Sequence, residues 1–161
     1  MELDPALAER WWDRRYDFYA PPHHPELPAI WGTVDVVATY SRIDAVHAAL
    51  EEAVRERYAG IGLKLRIHFS HWYAWGTMIY ARFLIPDGAL AGDANELHDR
   101  IWEDAVTAVL AAGGVINDHH GVGLKLGRYM EAQHGVAFDT LRRIKAAIDP
   151  LGIMNPGKLG L

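Results

Sequence analysis

An unbroken alternation of apolar and polar side chains runs through Leu63-Lys64-Leu65-Arg66-Ile67-His68-Phe69. Successive side chains of a β-strand point to opposite faces, so this period of two predicts a strand that is buried on one face only. Gly60 and Gly62 precede the strand and indicate that the preceding helix ends there. Leu63, Leu65, Ile67 and Phe69 are therefore expected to face one side of a sheet.

The segments on both sides of this strand continue the same kind of pattern. Trp31 to Tyr40 is rich in β-branched and aromatic residues and predicts a strand, and Ile43 to Tyr58 has the apolar spacing of an amphipathic helix. Thr77 to Ile85 predicts a strand that returns antiparallel in a hairpin. A helix is then expected from about 93 to 112, followed by a short strand at Val115-Ile116.

The order strand, helix, strand, strand, helix, strand predicts the fold class. It is the split βαβ arrangement, an α+β ferredoxin-like sandwich with helices on one face of an antiparallel sheet. Two short C-terminal helices are expected to follow. We divide the chain into an N-terminal helix and proline-rich arm at 1–30, an α+β domain at 31–117, and a polar turn with terminal helices at 118–161, all in one compact unit.

Composition excludes several classes of function. The chain has 161 residues, a formal charge of −5 and no cysteine. A net negative charge without a basic stripe argues against nucleic acid and anionic lipid as partners, and the absence of cysteine excludes disulfides and thiolate chemistry. No apolar stretch reaches the roughly 18 residues of a membrane span, and the N-terminus does not resemble a signal peptide. We therefore expect a cytoplasmic protein whose partners are small molecules or proteins.

A polar turn, Asp118-His119-His120-Gly121-Val122-Gly123, carries the densest chemistry of the chain. Imidazoles transfer protons near neutral pH, and glycines let a ligand approach the backbone N–H groups. Two simpler interpretations remain: one histidine caps a helix while the other is solvated, or Asp118, His119 and His120 bind a metal. The metal hypothesis is geometrically weak because adjacent residues rarely converge on one ion.

Three further features have both an ordinary and a functional interpretation. Tyr73, in Trp72-Tyr73-Ala74-Trp75-Gly76, is either an aromatic core residue or a proton donor. Lys125 is either an exposed lysine or an anion-binding group. The closing stretch Asn155-Pro156-Gly157-Lys158 is either a turn before a frayed terminus or a ligand-facing tail.

The polar turn, the stretch around Tyr73 and the closing tail together resemble the C-terminal region of FAD-linked oxidases of the vanillyl-alcohol oxidase type. The resemblance runs from about Trp31 to Leu161 and is strongest to the branch with alkyldihydroxyacetonephosphate synthase and the glycolate and D-lactate dehydrogenases. It implies that 31–117 is the substrate, or cap, domain and that 118–161 faces the flavin.

The resemblance also implies roles for the site residues. His119 and His120 would position or deprotonate the substrate, Tyr73 would exchange a proton, and Asp118 and Lys125 would lie on the substrate side. The synthases have three histidines before Gly-Val-Gly. Here the first is Asp118, which would repel the phosphate of an ether-lipid precursor. A hydride-transferring dehydrogenase for hydroxy acids and a non-redox ether synthase both remain open.

FAD is the cofactor that this resemblance implies. Gly121, Gly123, Asn155 and Lys158 would border its ring, while its adenine and pyrophosphate would bind a separate domain with a glycine-rich loop. The chain has no GxGxxG pattern. We therefore expect a flavin-binding domain or subunit as partner, and an isolated chain that is inactive.

A second class of function needs no flavin. Ferredoxin-like sandwiches also serve as non-catalytic binding or dimerisation modules, because a fold by itself does not specify function. A homodimer formed through the sheet or through the Trp11-Trp12 helix would be such a case. That helix would otherwise pack its tryptophans onto the sheet.

Overall fold

The computed structural model describes residues 4–15, 30–86 and 93–161. The proline-rich arm expected within 1–30 lies outside these ranges. The helices and strands are α1 (Pro5–Arg14), β1 (Ile30–Thr39), α2 (Ile43–Leu50), β2 (Lys64–Trp72), β3 (Gly76–Ile85), α3 (Ala94–Ala111), α4 (Met130–His134) and α5 (Ala137–Ile148). One π-helical turn, Glu51–Glu56, continues α2, and three 3-10 turns lie at Ala59–Ile61, Gly127–Tyr129 and Lys158–Gly160.

The sheet has the strand order β1-β3-β2, and both pairings are antiparallel. The apolar sides of α2 and α3 contribute to the core below the sheet, which confirms an α+β fold with helices on one face. The expected fourth strand is wrong in extent: Val115 forms only an isolated antiparallel bridge to Val37, at the outer edge of β1. Pairing does not continue along β1 because the chain next enters the polar turn, where the N–H groups of Asp118 and His119 donate to the side chain of Asp35 (2.9 Å each) instead of to a strand.

The alternation that defines β2 is confirmed. Leu63 and Leu65 are buried and Ile67 is half-buried, while Lys64, Arg66 and His68 are exposed; Phe69, at the end of the alternation, is 41% exposed. The core collects the inner face of each strand together with buried apolar side chains of the helices: Val34, Val36, Ile79, Ala81, Phe83, Val46, Leu50, Ile101, Val106 and Val109. The opposite face, called the open face below, carries Trp31, Thr33, Asp35, Lys64, Arg66, His68, Tyr80 and Arg82.

Helix α1 begins as its sequence predicts, because the side chain of Asp4 accepts a hydrogen bond from the N–H of Ala6 (3.0 Å) and Pro5 follows the cap. No residue of α1 is buried, and Trp11 and Trp12 are 66% and 59% exposed. The expectation that the tryptophan pair packs onto the sheet is therefore wrong. No helix in the described ranges is both long enough and apolar enough to cross a bilayer.

The C-terminal tail is fastened to the molecule and is not frayed. The buried carboxylate of Asp149 accepts hydrogen bonds from the N–H groups of Ile153 and Met154 (3.0 Å each). Gly127 packs so closely on Gly160 that a Cβ added to Gly127 would lie 2.7 Å from the backbone nitrogen of Gly160. This contact holds the last residues against the segment that follows the polar turn.

Candidate functional site

A buried carboxylate on β1 organises the polar turn. Asp35 is 1% exposed, and its Oδ2 atom accepts hydrogen bonds from the backbone N–H groups of Asp118 (2.9 Å), His119 (2.9 Å) and His120 (3.3 Å). Buried carboxylates are stable in proteins when they are paired in this way, and charge-assisted hydrogen bonds are stronger than neutral ones. Asp35 therefore holds the turn against the open face of the sheet.

Both histidines of the turn lie on the same side of the molecule. The rings of His119 and His120 are 4.3 Å apart, and both contact the ring of Tyr80 on the open face, at 6.2 and 5.5 Å. Adjacent residues of an extended strand would point to opposite faces, but His119 and His120 occupy a turn, so their rings share one side. The structure therefore gathers two imidazoles and a phenol at one place.

Each imidazole of the turn has its Nδ1 atom near a carboxylate. His119 Nδ1 is 3.2 Å from Asp118 Oδ2 and 3.6 Å from Asp35 Oδ2. His120 Nδ1 is 2.8 Å from Asp35 Oδ1 but outside hydrogen-bond geometry, so this buried oxygen has no hydrogen-bond partner among the described residues. An unpartnered buried oxygen beside two imidazoles marks a polar site rather than a packing contact.

A third imidazole comes from a β-bulge in β2. The pairing with β3 shifts register between Ser70 and Trp72, and His71, between them, has a positive φ of 49°. A residue other than glycine pays about 1–3 kcal/mol for a sparsely populated backbone conformation, and bulges re-aim side chains. Here the bulge directs His71 Nδ1 to Asp118 Oδ2 at 2.8 Å, where it donates a hydrogen bond.

Tyr73 is part of the same network. Its hydroxyl donates to Asp118 Oδ1 (2.8 Å), and its ring stacks on Trp75 at 5.2 Å. The backbone N–H of Tyr73 donates to the carbonyl of Gly76 (2.8 Å), which closes the loop between β2 and β3. Since Tyr73 is half-buried and hydrogen-bonded to a carboxylate, the alternative of an ordinary core aromatic is wrong.

Asp118 is the centre of this network. Burial by itself would raise the pKa of Asp118, but hydrogen bonds from Tyr73, His71 and His119 outweigh it and hold the pKa below its ordinary value. The same hydrogen bond to Asp118 raises the pKa of the Tyr73 phenol. An ionised Asp118 accepts Nδ1–H from His71 and His119, which leaves the Nε2 lone pair of each neutral imidazole free to accept a proton.

The network predicts a pH-dependent contribution to stability. Because the pKa of Asp118 is lowered on folding, its hydrogen bonds stabilise the protein above the ordinary aspartate range, and this stabilisation is lost as the pH falls through the lowered pKa. We expect Asp118→Asn to lower the free energy of unfolding at pH 7 and to match the native chain in acid. Urea unfolding of both proteins from pH 7 to pH 3 measures this, and a constant difference across that range would contradict it.

Lys125 lies away from this network and against α3. Its Nζ atom is 3.2 Å from His98 Nδ1, 3.5 Å from Asp99 Oδ1 and 4.3 Å from the ring centre of Trp102. Burial among these groups lowers the pKa of Lys125. A role of Lys125 in binding substrate stays a prediction.

The two glycines of the turn and the closing tail lie together. Gly121 and Gly123 have positive φ values of 85° and 55°, and a Cβ added to either would meet nothing within 4 Å. The N–H of Leu159 donates to the carbonyl of Gly123 (3.2 Å), and the N–H of Lys158 donates to the carbonyl of Asn155 (3.2 Å). The turn therefore presents open backbone to a ligand, with the tail beside it.

Within the described residues, two groups of side chains could hold a metal ion. One is Asp35 with His119 and His120, and the other is His71 with Asp118 and His119; within each group the candidate ligand atoms lie within 4.8 Å of one another. The set Asp118, His119 and His120 that the sequence suggested is thus divided between two groups. Convergence is possible because Asp35 and His71 come from different strands.

Four residues of the site were not predicted from the sequence to be functional: Asp35, His68, His71 and Tyr80. Two had a visible signal, since Asp35 is the one acid within a run of β-branched residues and His68 lies on the polar side of the alternating strand. The ring of His68 stacks on Tyr80 at 5.0 Å. His71 had no local signal, because only the bulge and the distant Asp118 explain its position.

The chain is similar to several characterised proteins. It is 30% identical over 125 residues to alkyldihydroxyacetonephosphate synthase of Trypanosoma brucei brucei, which covers 72% of this chain and 19% of the synthase. It is 27% identical over 129 residues to D-2-hydroxyglutarate dehydrogenase of Stutzerimonas stutzeri, covering 78% of this chain and 26% of that enzyme. A mitochondrial D-lactate dehydrogenase (cytochrome) of Arabidopsis thaliana is 40% identical over 62 residues, covering 38% of this chain and 11% of that protein.

These relatives are several times longer than the part that this chain matches, which is 19% of the synthase and 26% of the hydroxyglutarate dehydrogenase. The family model for the C-terminal domain of FAD-linked oxidases matches residues 3–159 and so takes in the sheet, the polar turn and the tail. The chain therefore belongs to the FAD-linked oxidases, and the matched residues form the C-terminal domain of that family.

Proposed function

We propose that this chain forms the substrate-binding side of an FAD-linked oxidoreductase that acts on a hydroxy acid. An ether-lipid precursor is the alternative substrate class. The observation that carries the proposal is the network in which Asp118 joins the phenol of Tyr73 to the imidazoles of His71 and His119. Relatives named as D-lactate and D-2-hydroxyglutarate dehydrogenases support the hydroxy acid, and the synthase supports the ether-lipid precursor.

FAD is the cofactor of this family. The described residues fit the ring of a flavin, since Gly121 and Gly123 leave open space beside the backbone and the tail lies next to them. Gly121, Gly123, Asn155 and Lys158 would border the ring. When bound, FAD supplies the acceptor for the two electrons that leave the substrate.

The side chains of this domain would manage the substrate and its protons. His119 would accept the hydroxyl proton of the substrate at Nε2, because its Nδ1–H is directed at carboxylates. Asp118 would stabilise the imidazolium that forms on His119. In the neutral ring, Asp118 would keep the proton on Nδ1. Tyr73 would exchange a proton with the substrate from its protonated form, which it would keep through neutral pH because the hydrogen bond to Asp118 raises its pKa.

His120 and Tyr80 would shape the floor of the site. The ring of His120 meets the ring of Tyr80 edge-on at 5.5 Å, above the sheet. A hydroxy acid bound over Tyr80 would therefore contact both imidazoles of the turn. Such positioning contributes to catalysis because it converts a bimolecular proton transfer into an intramolecular one.

A flavin-binding domain or subunit would complete the active site. The described residues contain no glycine-rich loop that could hold the pyrophosphate of FAD. The polar turn and the tail would face that partner, and the isolated domain would bind FAD weakly. Whether the partner is part of a longer polypeptide or a separate subunit does not alter these roles.

Absorption between 300 and 550 nm tests the proposal. The chain is purified alone, and also together with the product of the adjacent upstream coding region or as part of its longer polypeptide. We expect a flavin spectrum only in the presence of the flavin-binding partner, and anaerobic bleaching of that spectrum by a 2-hydroxy acid. Absence of flavin from every preparation would overturn the proposal and leave a non-catalytic module.

A further inference from the structure

Two arginines lie opposite each other on the open face. Arg66 of β2 and Arg82 of β3 are direct partners in the antiparallel register, and Arg82 is also opposite Thr33 of β1. The next row on the same face is His68, Tyr80 and Asp35, which carries the imidazole site. Two residues along a strand span roughly 7 Å, so the arginine row is one such step from the site.

These arginines have no counter-ion among the described residues. Both are exposed, and neither forms an ion pair or a side-chain hydrogen bond with any described residue. Lys64 lies one row further on the same face and is exposed as well. Like charges directly opposite each other on neighbouring strands destabilise a sheet. Arg66, Arg82 and Lys64 have no acid in their own rows among the described residues, so they create a local positive field in a chain of net charge −5.

The orientation of Arg82 is restrained by an aromatic ring. Its guanidinium carbon lies 5.3 Å from the ring centre of Trp31, a distance at which the cation and the π-system attract each other. A guanidinium held over an aromatic ring keeps the N–H groups at its edge free for hydrogen bonds. A planar fork of donors matches a carboxylate or phosphate, which it binds through two parallel hydrogen bonds.

We propose that Arg66 and Arg82 bind a second anionic group of the substrate, at the end remote from the reacting carbon. The substrate is then a dianion: either a 2-hydroxy acid with a second carboxylate several bonds away, or a phosphate ester. This inference rests on the proposed function, because that function places the reacting end of the substrate at the imidazole row. It deepens that function by excluding small monocarboxylates as preferred substrates.

Anion binding by the chain itself tests the proposal without flavin. The arginine Nε–H signals of the 15N-labelled protein are followed during titration with D-lactate, D-2-hydroxyglutarate and glycerol 3-phosphate. We expect at least tenfold tighter binding of one or both dianions than of lactate, with the largest shifts at Arg66 and Arg82. Preference for hydroxyglutarate identifies a dicarboxylate site, and preference for glycerol phosphate identifies a phosphate site.

Variants separate this site from general attraction between charges. Arg66→Gln, Arg82→Gln and the double variant are expected to abolish the preference for dianions, whereas Arg143→Gln, which removes an exposed charge on α5, leaves it intact. Thermal midpoints are expected to hold or rise, because the substitutions remove like-charge repulsion. Dianion affinity that is equal to that of lactate, or unchanged in the double variant, would overturn the proposal. Loss of flavin association with intact dianion binding would count against the proposed function alone.

Discussion

Replacement of Asp35 by alanine is expected to lower the free energy of unfolding by about 3–5 kcal/mol, because it removes a buried carboxylate that accepts hydrogen bonds from three backbone N–H groups. The N–H groups of Asp118, His119 and His120 would then lose their shared acceptor. We expect the polar turn to leave the open face, so that the imidazoles lose their contacts with Tyr80. Urea unfolding followed by circular dichroism measures the loss of stability.

Two controls distinguish this effect from a general weakening of β1. Thr33→Ala changes the same face of the same strand, one row away, and is expected to cost little. Asp35→Asn keeps one carbonyl oxygen as an acceptor, so its loss should lie between those of Thr33→Ala and Asp35→Ala, since neutral acceptors form weaker hydrogen bonds. A stability of Asp35→Ala equal to that of Thr33→Ala would show that Asp35 does not hold the turn.

In the enzyme assembled with its flavin-binding partner, His119→Ala is expected to reduce kcat by roughly 100- to 10,000-fold, the usual contribution of a general base. The fold should be retained, because the His119 side chain is exposed and the backbone of the turn is held by Asp35. Steady-state kinetics with the best substrate, together with the thermal midpoint of each protein, measures this. His120→Ala is expected to behave similarly, since its ring contacts the same phenol.

His134→Ala is the matched control for this prediction. His134 is exposed at the end of α4 and stacks on Phe138 at 6.4 Å, away from the polar turn. The His134→Ala substitution should leave kcat within about a factor of three of the native value. Native turnover in both His119→Ala and His120→Ala would remove these histidines from the mechanism, whereas a fall in stability without a fall in kcat per folded molecule would assign them a structural role only.

Much of the scaffold could be predicted because its signals are local. The alternation around Leu65, the apolar spacing of α2 and α3 and the glycines between elements each depend on residues that are neighbours in the chain. The short strand at Val115 was overpredicted for the opposite reason. Two β-branched residues favour a strand, but the distant side chain of Asp35 accepts hydrogen bonds from the N–H groups that follow, so the chain turns instead of extending the ladder.

The site could be predicted only in part. Resemblance to a known family identified the turn, Tyr73 and the tail as functional segments, and the structure brings the turn to Tyr73 through Asp118 and to the tail through Gly123. Lys125 was expected on the substrate side; its side chain lies against α3, and its role in binding substrate stays a prediction. The N-terminal tryptophans were expected on the sheet but are exposed, because amphipathic spacing does not specify which surface a helix covers.

By itself, the sequence determined the class of fold, the polar face of β2 and the segments that carry chemistry, because backbone propensity and side-chain period act over a few residues. The tertiary structure alone decided which groups meet. Asp35 and Asp118 are 83 residues apart in the chain and joined by one hydrogen bond, and His71 reaches Asp118 only because a bulge holds it at a positive φ. Such contacts depend on strand register and loop closure across the whole domain, which no short stretch of sequence encodes.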